Sequence, residues 1–263
     1  MPQNMKILFV GEIVASPGRK AVAAVLPEVI KDHHPDLIIS NIENLSHGRG
    51  ISEQTVTEMK NLGINFFTGG DHIFWQEEAY DLLETGPIIR PANYPKGTPG
   101  NGYAVLDVVG SGEVLVINLM GRTSFGGPNA YLDDPFRKAD EILEQFKDKK
   151  FAAIFVDFHA EGTSEKMAMG FYLDGRVDAV VGTHSHIPSA DGHVLPNGTL
   201  YITDAGMTGN IDSVLGVKKE IILQLFLTAR NQRFDWEKSG RKAFRSVLLD
   251  TVDKTVLRID KLF

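Results

Sequence analysis

Val180-Val181-Gly182-Thr183-His184-Ser185-His186 is an apolar run that stops on two histidines one residue apart. The stretch from Val177 to Val181 reads as a short buried strand, so both imidazoles fall beyond a strand's carboxyl end, where open α/β sheets bind ligands. Neutral imidazole is a donor for zinc, iron and manganese, and a His-x-His pair can serve one metal or two adjacent ones. Taken alone, such a pair is more often solvated than metallated.

Four other strand-like runs end in the same chemistry. Lys6–Val10 leads into Gly11-Glu12, and Leu37–Ser40 into Asn41-Ile42-Glu43-Asn44. Ile64–Thr68 leads into Gly69-Gly70-Asp71-His72, and Ala152–Val156 into Asp157-Phe158-His159. Solvated loops put polar residues after strands as a matter of course. That explains one or two such endings, not five. With the strands side by side in one sheet, Glu12, Glu43, Asp71, His159, His184 and His186 converge on a single edge.

The chain's 263 residues, 43% of them apolar, suit a single α/β domain over 1–263. A formal net charge of −7 argues against a broad basic nucleic-acid surface, though not against a nucleotide in a metal-charged cleft. There are no cysteines, so disulfides and thiolate ligands are excluded and any metal is held by oxygen and imidazole nitrogen. The start, Met1 to Lys6, lacks the apolar core of a signal peptide, and no run reaches membrane-spanning length. The expectation is a soluble cytoplasmic protein with no membrane partner; a homo-oligomer is compatible with it.

In chain order, Ser16 reads as an N-cap with Pro17 at the first helical position, and Val22, Val25, Leu26, Val29 and Ile30 share one helical face. The glycine-rich loop from Asn44 to Gly50 presents Arg49 as a candidate phosphate ligand. Ser52 opens a second helix with Val56, Met59 and Leu62 inward and Gly63 at its end. The aromatic cluster Phe74, Trp75 and Tyr80 reads as core. Residues 89–102 form a proline- and glycine-rich loop at the rim of the cleft, with Asn93 its polar candidate. A hairpin turns at Gly110-Ser111-Gly112, and Asp134-Pro135 caps a further helix. Thr163 starts a helix whose methionines read as core, Gly206–Gly209 reads as a turn, and two strands close the chain after a helix at Glu220–Thr228.

The ordered set Gly11-Glu12, Asn41-Ile-Glu43-Asn44, Gly70-Asp71-His72, Asp157-Phe-His159 and Gly182-Thr-His184-Ser-His186 resembles the calcineurin-like metallophosphoesterases, in particular their bacterial YmdB-type branch. The similarity extends over about Lys6 to Gly209. It includes Arg90-Pro-Ala-Asn93, Asp157-Phe-His-Ala-Glu161 and Ile202-Thr-Asp-Ala-Gly-Met-Thr-Gly209. The resemblance implies an α/β fold, a four-layer αββα sandwich of two mixed sheets packed face to face with helices outside. It also implies a dinuclear-metal phosphodiesterase whose substrates are small phosphodiesters, 2′,3′-cyclic nucleotides above all.

Carried over residue by residue, the resemblance puts Glu43 between two divalent metal ions, Glu12 and His186 on one of them, and Asp71, His159 and His184 on the other. Asn44 would touch the site, and His72 would protonate the leaving oxygen. Iron and manganese suit such ligands, and zinc is compatible. Two positions depart from the family pattern: Glu12 stands where aspartate is usual and Asp71 where asparagine is usual. Neither change removes a ligand, and both bear on metal preference and rate. They sustain an alternative reading, a catalytically weakened metal-binding regulator acting through a partner or nucleotide. A barrel amidohydrolase could also use a His-x-His, but there the motif closes the first strand, whereas here it comes late.

Overall fold

In a computed structural model that describes residues 5–263, the chain runs β1 (Lys6–Val10), β2 (Glu12–Ile13), α1 (Ala15–His33), β3 (Leu37–Asn41), α2 (Glu53–Asn61), β4 (Phe66–Thr68), α3 (Glu78–Thr85) and β5 (Ile88–Ile89). A hairpin, β6 (Tyr103–Val108) and β7 (Gly112–Met120), precedes α4 (Pro135–Gln145), β8 (Ala153–His159), α5 (Thr163–Leu173) and β9 (Ala179–Thr183). The remainder is β10 (His193–Val194), β11 (Leu200–Ile202), β12 (Met207–Asn210), α6 (Lys219–Thr228), β13 (Lys242–Asp250) and β14 (Thr255–Leu262). Residues Met1 to Asn4, part of the start that carried the signal-peptide reading, lie outside the described residues.

The strands form two mixed sheets, one of eight strands ordered β2-β12-β13-β1-β3-β4-β5 with β14 on β13, the other of six ordered β10-β11-β9-β8-β7-β6. Alternation along each strand then builds four layers, because successive side chains point to opposite faces. Ile7 and Phe9 face inward and meet Val116, Phe155 and Val181 of the other sheet, with the Phe9 and Phe155 rings stacked at 5.4 Å. Leu8 and Val10 face outward under Val22, Leu26 and Val29 of α1 and Val56 and Met59 of α2. On the far side, Ile117, Val156 and Phe158 carry Ala139 and Ile142 of α4 and Met169 and Leu173 of α5. The chain is an αββα sandwich with its core split into three apolar layers.

Four expectations need correction. Helix α1 starts at Ala15, not after Ser16: Val14 donates to the Thr208 carbonyl and Ala15 to the Asn44 carbonyl, which turns the chain into the helix early. Pro17 still sits in the first turn, where its missing N–H costs nothing. Met207–Asn210 is a strand and not a turn, since β2 and β13 both offer it open backbone groups. The aromatics are only partly core. Phe74 packs against the outer layer, but Trp75 is 57% and Tyr80 45% exposed. On α5, Met169 faces the sheet while Met167, Phe171 and Tyr172 point away from it.

Candidate metal centre

Strands from both sheets deliver the ligand-type side chains to one edge. Glu12 lies on β2, Glu43 and Asn44 follow β3, Asp71 and His72 follow β4, His159 ends β8, and His184 and His186 follow β9. Glu12, Glu43 and His159 are essentially sealed from solvent. Donor atoms of Glu43, Asp71, His159 and His184 all lie within 4.8 Å of one another. His159 Nε2 is 3.0 Å from Asp71 Oδ1, 3.4 Å from Glu43 Oε2 and 3.1 Å from His184 Nδ1. Beside this group stands a second, in which His186 Nε2 is 2.5 Å from Glu12 Oε2. The Asn44 amide joins the two groups, with Nδ2 2.8 Å from Glu43 Oε1, 3.4 Å from Glu12 Oε2 and 3.2 Å from His186 Nε2.

The electrostatics fit a cation. Burial works against the charge on Glu12, yet the imidazoles of His186, His159 and His184 hold its carboxyl well below the usual range. Asp71 is held low in the same way by His159, His184 and His72. Conversely, burial opposes the charge on His159, but Glu43, Asp71 and Glu12 push its imidazole up to about 10. Carboxylates that hold protons on their neighbours this tightly offer the field a divalent cation needs. Two further details agree. His186 Nδ1 is buried with no hydrogen-bond partner among the described residues. Gly70 leaves the space between Glu43 and His159 open, since a Cβ there would sit 2.2 Å from Glu43 Oε2 and 2.4 Å from His159 Nε2.

A second ring of groups fixes the first, as is usual around metal-ligating histidines. His159 Nδ1 lies 3.0 Å from Thr183 Oγ1, which donates to Asp157 Oδ1 at 2.8 Å. Burial pushes the Asp157 carboxyl up to about 6 although Thr68, Thr183 and Asn41 all donate to it. His184 and His186 take left-handed backbone angles, φ +95° and +63°, each costing about 1–3 kcal/mol for a non-glycine residue. That turn is clamped by Glu12, which accepts from the His184 N–H, and by Asp204, which accepts from the Ser185 N–H at 3.1 Å and the Gly206 N–H at 2.7 Å. Lys166, 1% exposed, neutralises Asp204 at 2.6 Å. Lys166→Ala is therefore expected to cost about 3–5 kcal/mol, because it strands a buried charge. Urea unfolding reads this directly, and an unchanged midpoint would show that Asp204 has another counter-charge.

The centre opens into a cavity of about 400 Å³. Glu43, Asn44, His72, His184 and His186 line its floor, and Arg49 its side. The opposite wall is apolar: Leu215, Val217, Ile222, Leu225, Phe226, Phe234 and Trp236. Arg49 is stacked against two rings, 4.8 Å from the Trp75 centroid and 5.2 Å from that of Phe234. Asn93 does not line the cavity. It is fully buried, its Nδ2 donating to the Met120 and Asp133 carbonyls and its Oδ1 accepting from the Met120 N–H. It braces the end of β7. Sequence reasoning gave no role to Glu161, whose Oε2 is 2.9 Å from His184 Nε2, nor to the apolar wall. The signal for Glu161 was its place two residues beyond His159; the wall comes from a remote segment and left none.

Facing mixed sheets with helices outside, and carboxylates and imidazoles gathered at their carboxyl edge, define the calcineurin-like metallophosphoesterase class. Within it, this chain belongs to the YmdB-like family, whose sequence model matches residues 8–262. It is 44% identical to the 2′,3′-cyclic-nucleotide 2′-phosphodiesterase of Bacillus subtilis over 95% of this chain and 93% of that protein. It is 34% identical to a putative phosphatase/phosphodiesterase of Mycoplasma genitalium, over 98% and 92%. Among solved structures, a hypothetical protein from Thermus thermophilus superposes with a TM-score of 0.89 at 40% identity, over 98% of this chain and 99% of that one. A phosphatase from Mycoplasma pneumoniae superposes at 0.90 with 30% identity, over 100% and 95%.

Proposed function

We propose that this phosphoesterase is a dinuclear phosphodiesterase that hydrolyses small phosphodiesters, 2′,3′-cyclic nucleotides foremost, with two divalent cations held by Glu12, Glu43, Asp71, His159, His184 and His186. The observation that carries this reading is the convergence of those six side chains, from five strand ends, beneath one cavity. Glu43 is assigned to both cations: Oε2 belongs to the group with His159 and Asp71, while Oε1 is tied through Asn44 to Glu12 and His186. An oxygen-and-imidazole set suits iron or manganese and also accepts zinc. When bound, the cations supply Lewis acidity to the phosphoryl group and acidify the attacking water.

The chain's own residues orient the substrate and move the proton. Arg49 places a cation at the cavity's side for the substrate's negative charge, and the apolar wall excludes water and gives a base a surface to lie on. His72 Nδ1 is 2.9 Å from Asn44 Oδ1 and 3.2 Å from Glu43 Oε1, so Nε2, 3.6 Å from Asp71 Oδ2 in a residue that lines the cavity, is the nitrogen assigned to protonate the departing oxygen. The cyclic-nucleotide activity of the B. subtilis relative supports the substrate class.

The test is hydrolysis of bis(p-nitrophenyl) phosphate and of 2′,3′-cyclic AMP by metal-loaded protein, before and after chelation. About two metals per chain, turnover lost with chelator and turnover restored by added metal are expected. Full metal content with no turnover of either diester would overturn the enzyme reading and leave a metal-holding regulator.

A further inference from the structure

We propose that the cleft continues into a track for a short RNA strand, so that the preferred substrate is an oligoribonucleotide ending in a 2′,3′-cyclic phosphate rather than the free cyclic mononucleotide. This rests on the phosphodiesterase reading above and names its substrate class. Two further hollows of about 340 Å³ each adjoin the metal-centre cavity. Trp236 lines all three, and Arg49 is shared by the cavity and the nearer hollow. Each hollow lies within the range of a small-ligand cleft, about 300–1,000 Å³.

The lining of this path has the two components that hold single-stranded nucleic acid, aromatic faces for bases and cations for the backbone. The nearer hollow offers Trp75 and Phe234, 57% and 36% exposed, with Arg49 and Arg233 and no carboxylate. The farther one offers Trp236 with Lys238 and Arg19. Arg19 is engaged by Glu58, and the one carboxylate in that hollow, Asp235, is engaged by Lys218. Glu161, the acid at the cavity wall, faces His184. Arg49, Arg233 and Lys238 make no ion pair with a carboxylate among the described residues. Three cations without a carboxylate partner among the described residues, one of them, Arg49, stacked on Trp75 and Phe234, lie along one groove in a chain of formal net charge −7. Trp236 is also built as a fixed platform: a Cβ on Gly48, itself at φ +81°, would lie 2.0 Å from its ring.

The reaction at the strand's end balances without any co-reactant but water. Water oxygen bonds to phosphorus, the P–O2′ bond breaks, its electron pair stays on O2′, and His72 supplies the proton. One water proton restores the proton that His72 gave up and the other goes to solvent, leaving a 2′-hydroxyl and a 3′-phosphate.

Metal-loaded protein is to be assayed on bis(p-nitrophenyl) phosphate, on 2′,3′-cyclic AMP and on a four-nucleotide RNA bearing the cyclic phosphate, alongside the Arg233→Glu/Lys238→Glu protein. The expected result is a kcat/KM for the RNA at least ~10-fold above that for the mononucleotide, a preference that shrinks with added salt and vanishes in the double variant. Fluorescence anisotropy with the same RNA ending in a 3′-phosphate should show weaker binding by the variant. Its salt dependence should also be shallower, by about 0.7 in log–log slope for each phosphate that the variant no longer neutralises. RNA cleaved no faster than the mononucleotide, a preference that survives the double variant, or equal binding of an acidic peptide of the same charge would overturn the proposal. Inertness toward all three substrates would instead overturn the phosphodiesterase reading on which it rests.

Discussion

Glu43→Ala is expected to empty the centre of metal and to lower phosphodiester turnover by ~10³-fold or more. Lewis-acid stabilisation by bound metal is worth several kcal/mol in such sites, and each ~1.4 kcal/mol is a factor of ten. The effect should exceed that of losing any other proposed ligand, because Glu43 is the side chain assigned above to both cations. Its Oε2 faces His159 and accepts from the His72 N–H at 3.0 Å, and its Oε1 accepts from Asn44. Elemental analysis after dialysis checks the metal, and circular dichroism checks that the fold survives. A folded variant that keeps wild-type metal content would refute the shared role. Loss of half the metal would assign Glu43 to one cation only.

The convergence of the six ligand-type side chains was legible in the sequence for a physical reason. A site built on strand ends is encoded by short apolar runs and the polar residues that directly follow them, so each of these side chains is a local feature. His159 shows the limit of that reading, because β8 extends through it and places the ring inside the sheet's edge. The αββα layering is read from the family resemblance and not from the runs, whose two apolar faces find their partners only in the folded chain. Features set by long-range contact were not legible. Ser16 reads as a cap until Thr208 and Asn44 take the preceding backbone. Asn93 reads as a rim residue until Met120 and Asp133 enclose it. Over residues 221–227 of α6 only Gln224 is polar, so no pattern separates Ile222, which is buried, from Phe226, which is 81% exposed beside the cavity. Trp236 reaches the site from an irregular segment with no periodicity to read.

His72→Ala should separate proton transfer from metal binding. The ring is set 5.7 Å edge-on to Trp75 and is oriented by Asn44 and Glu43, and His72 is the one histidine of the site to which no cation is assigned. The variant is therefore expected to keep its metal and lose about 10²–10⁴-fold in kcat, the usual contribution of a general acid. The pH dependence gives a second readout. Burial favours the neutral ring, but the hydrogen bond and charge of Glu43 and the charge of Asp71 outweigh it and raise the imidazole above its ordinary value. A raised value extends the protonated form of the acid toward higher pH, so wild-type kcat should fall as pH rises through that value, and this alkaline limb should vanish in the variant. Cations drawing on the same two carboxylates weaken the upward push, so the limb should move to lower pH when the metal content is raised from partial to full. A substrate with a nitrophenolate leaving group, which needs little help from an acid, should lose far less than the cyclic nucleotide. Equal losses on both substrates, or metal loss in step with activity, would place His72 among the ligands instead.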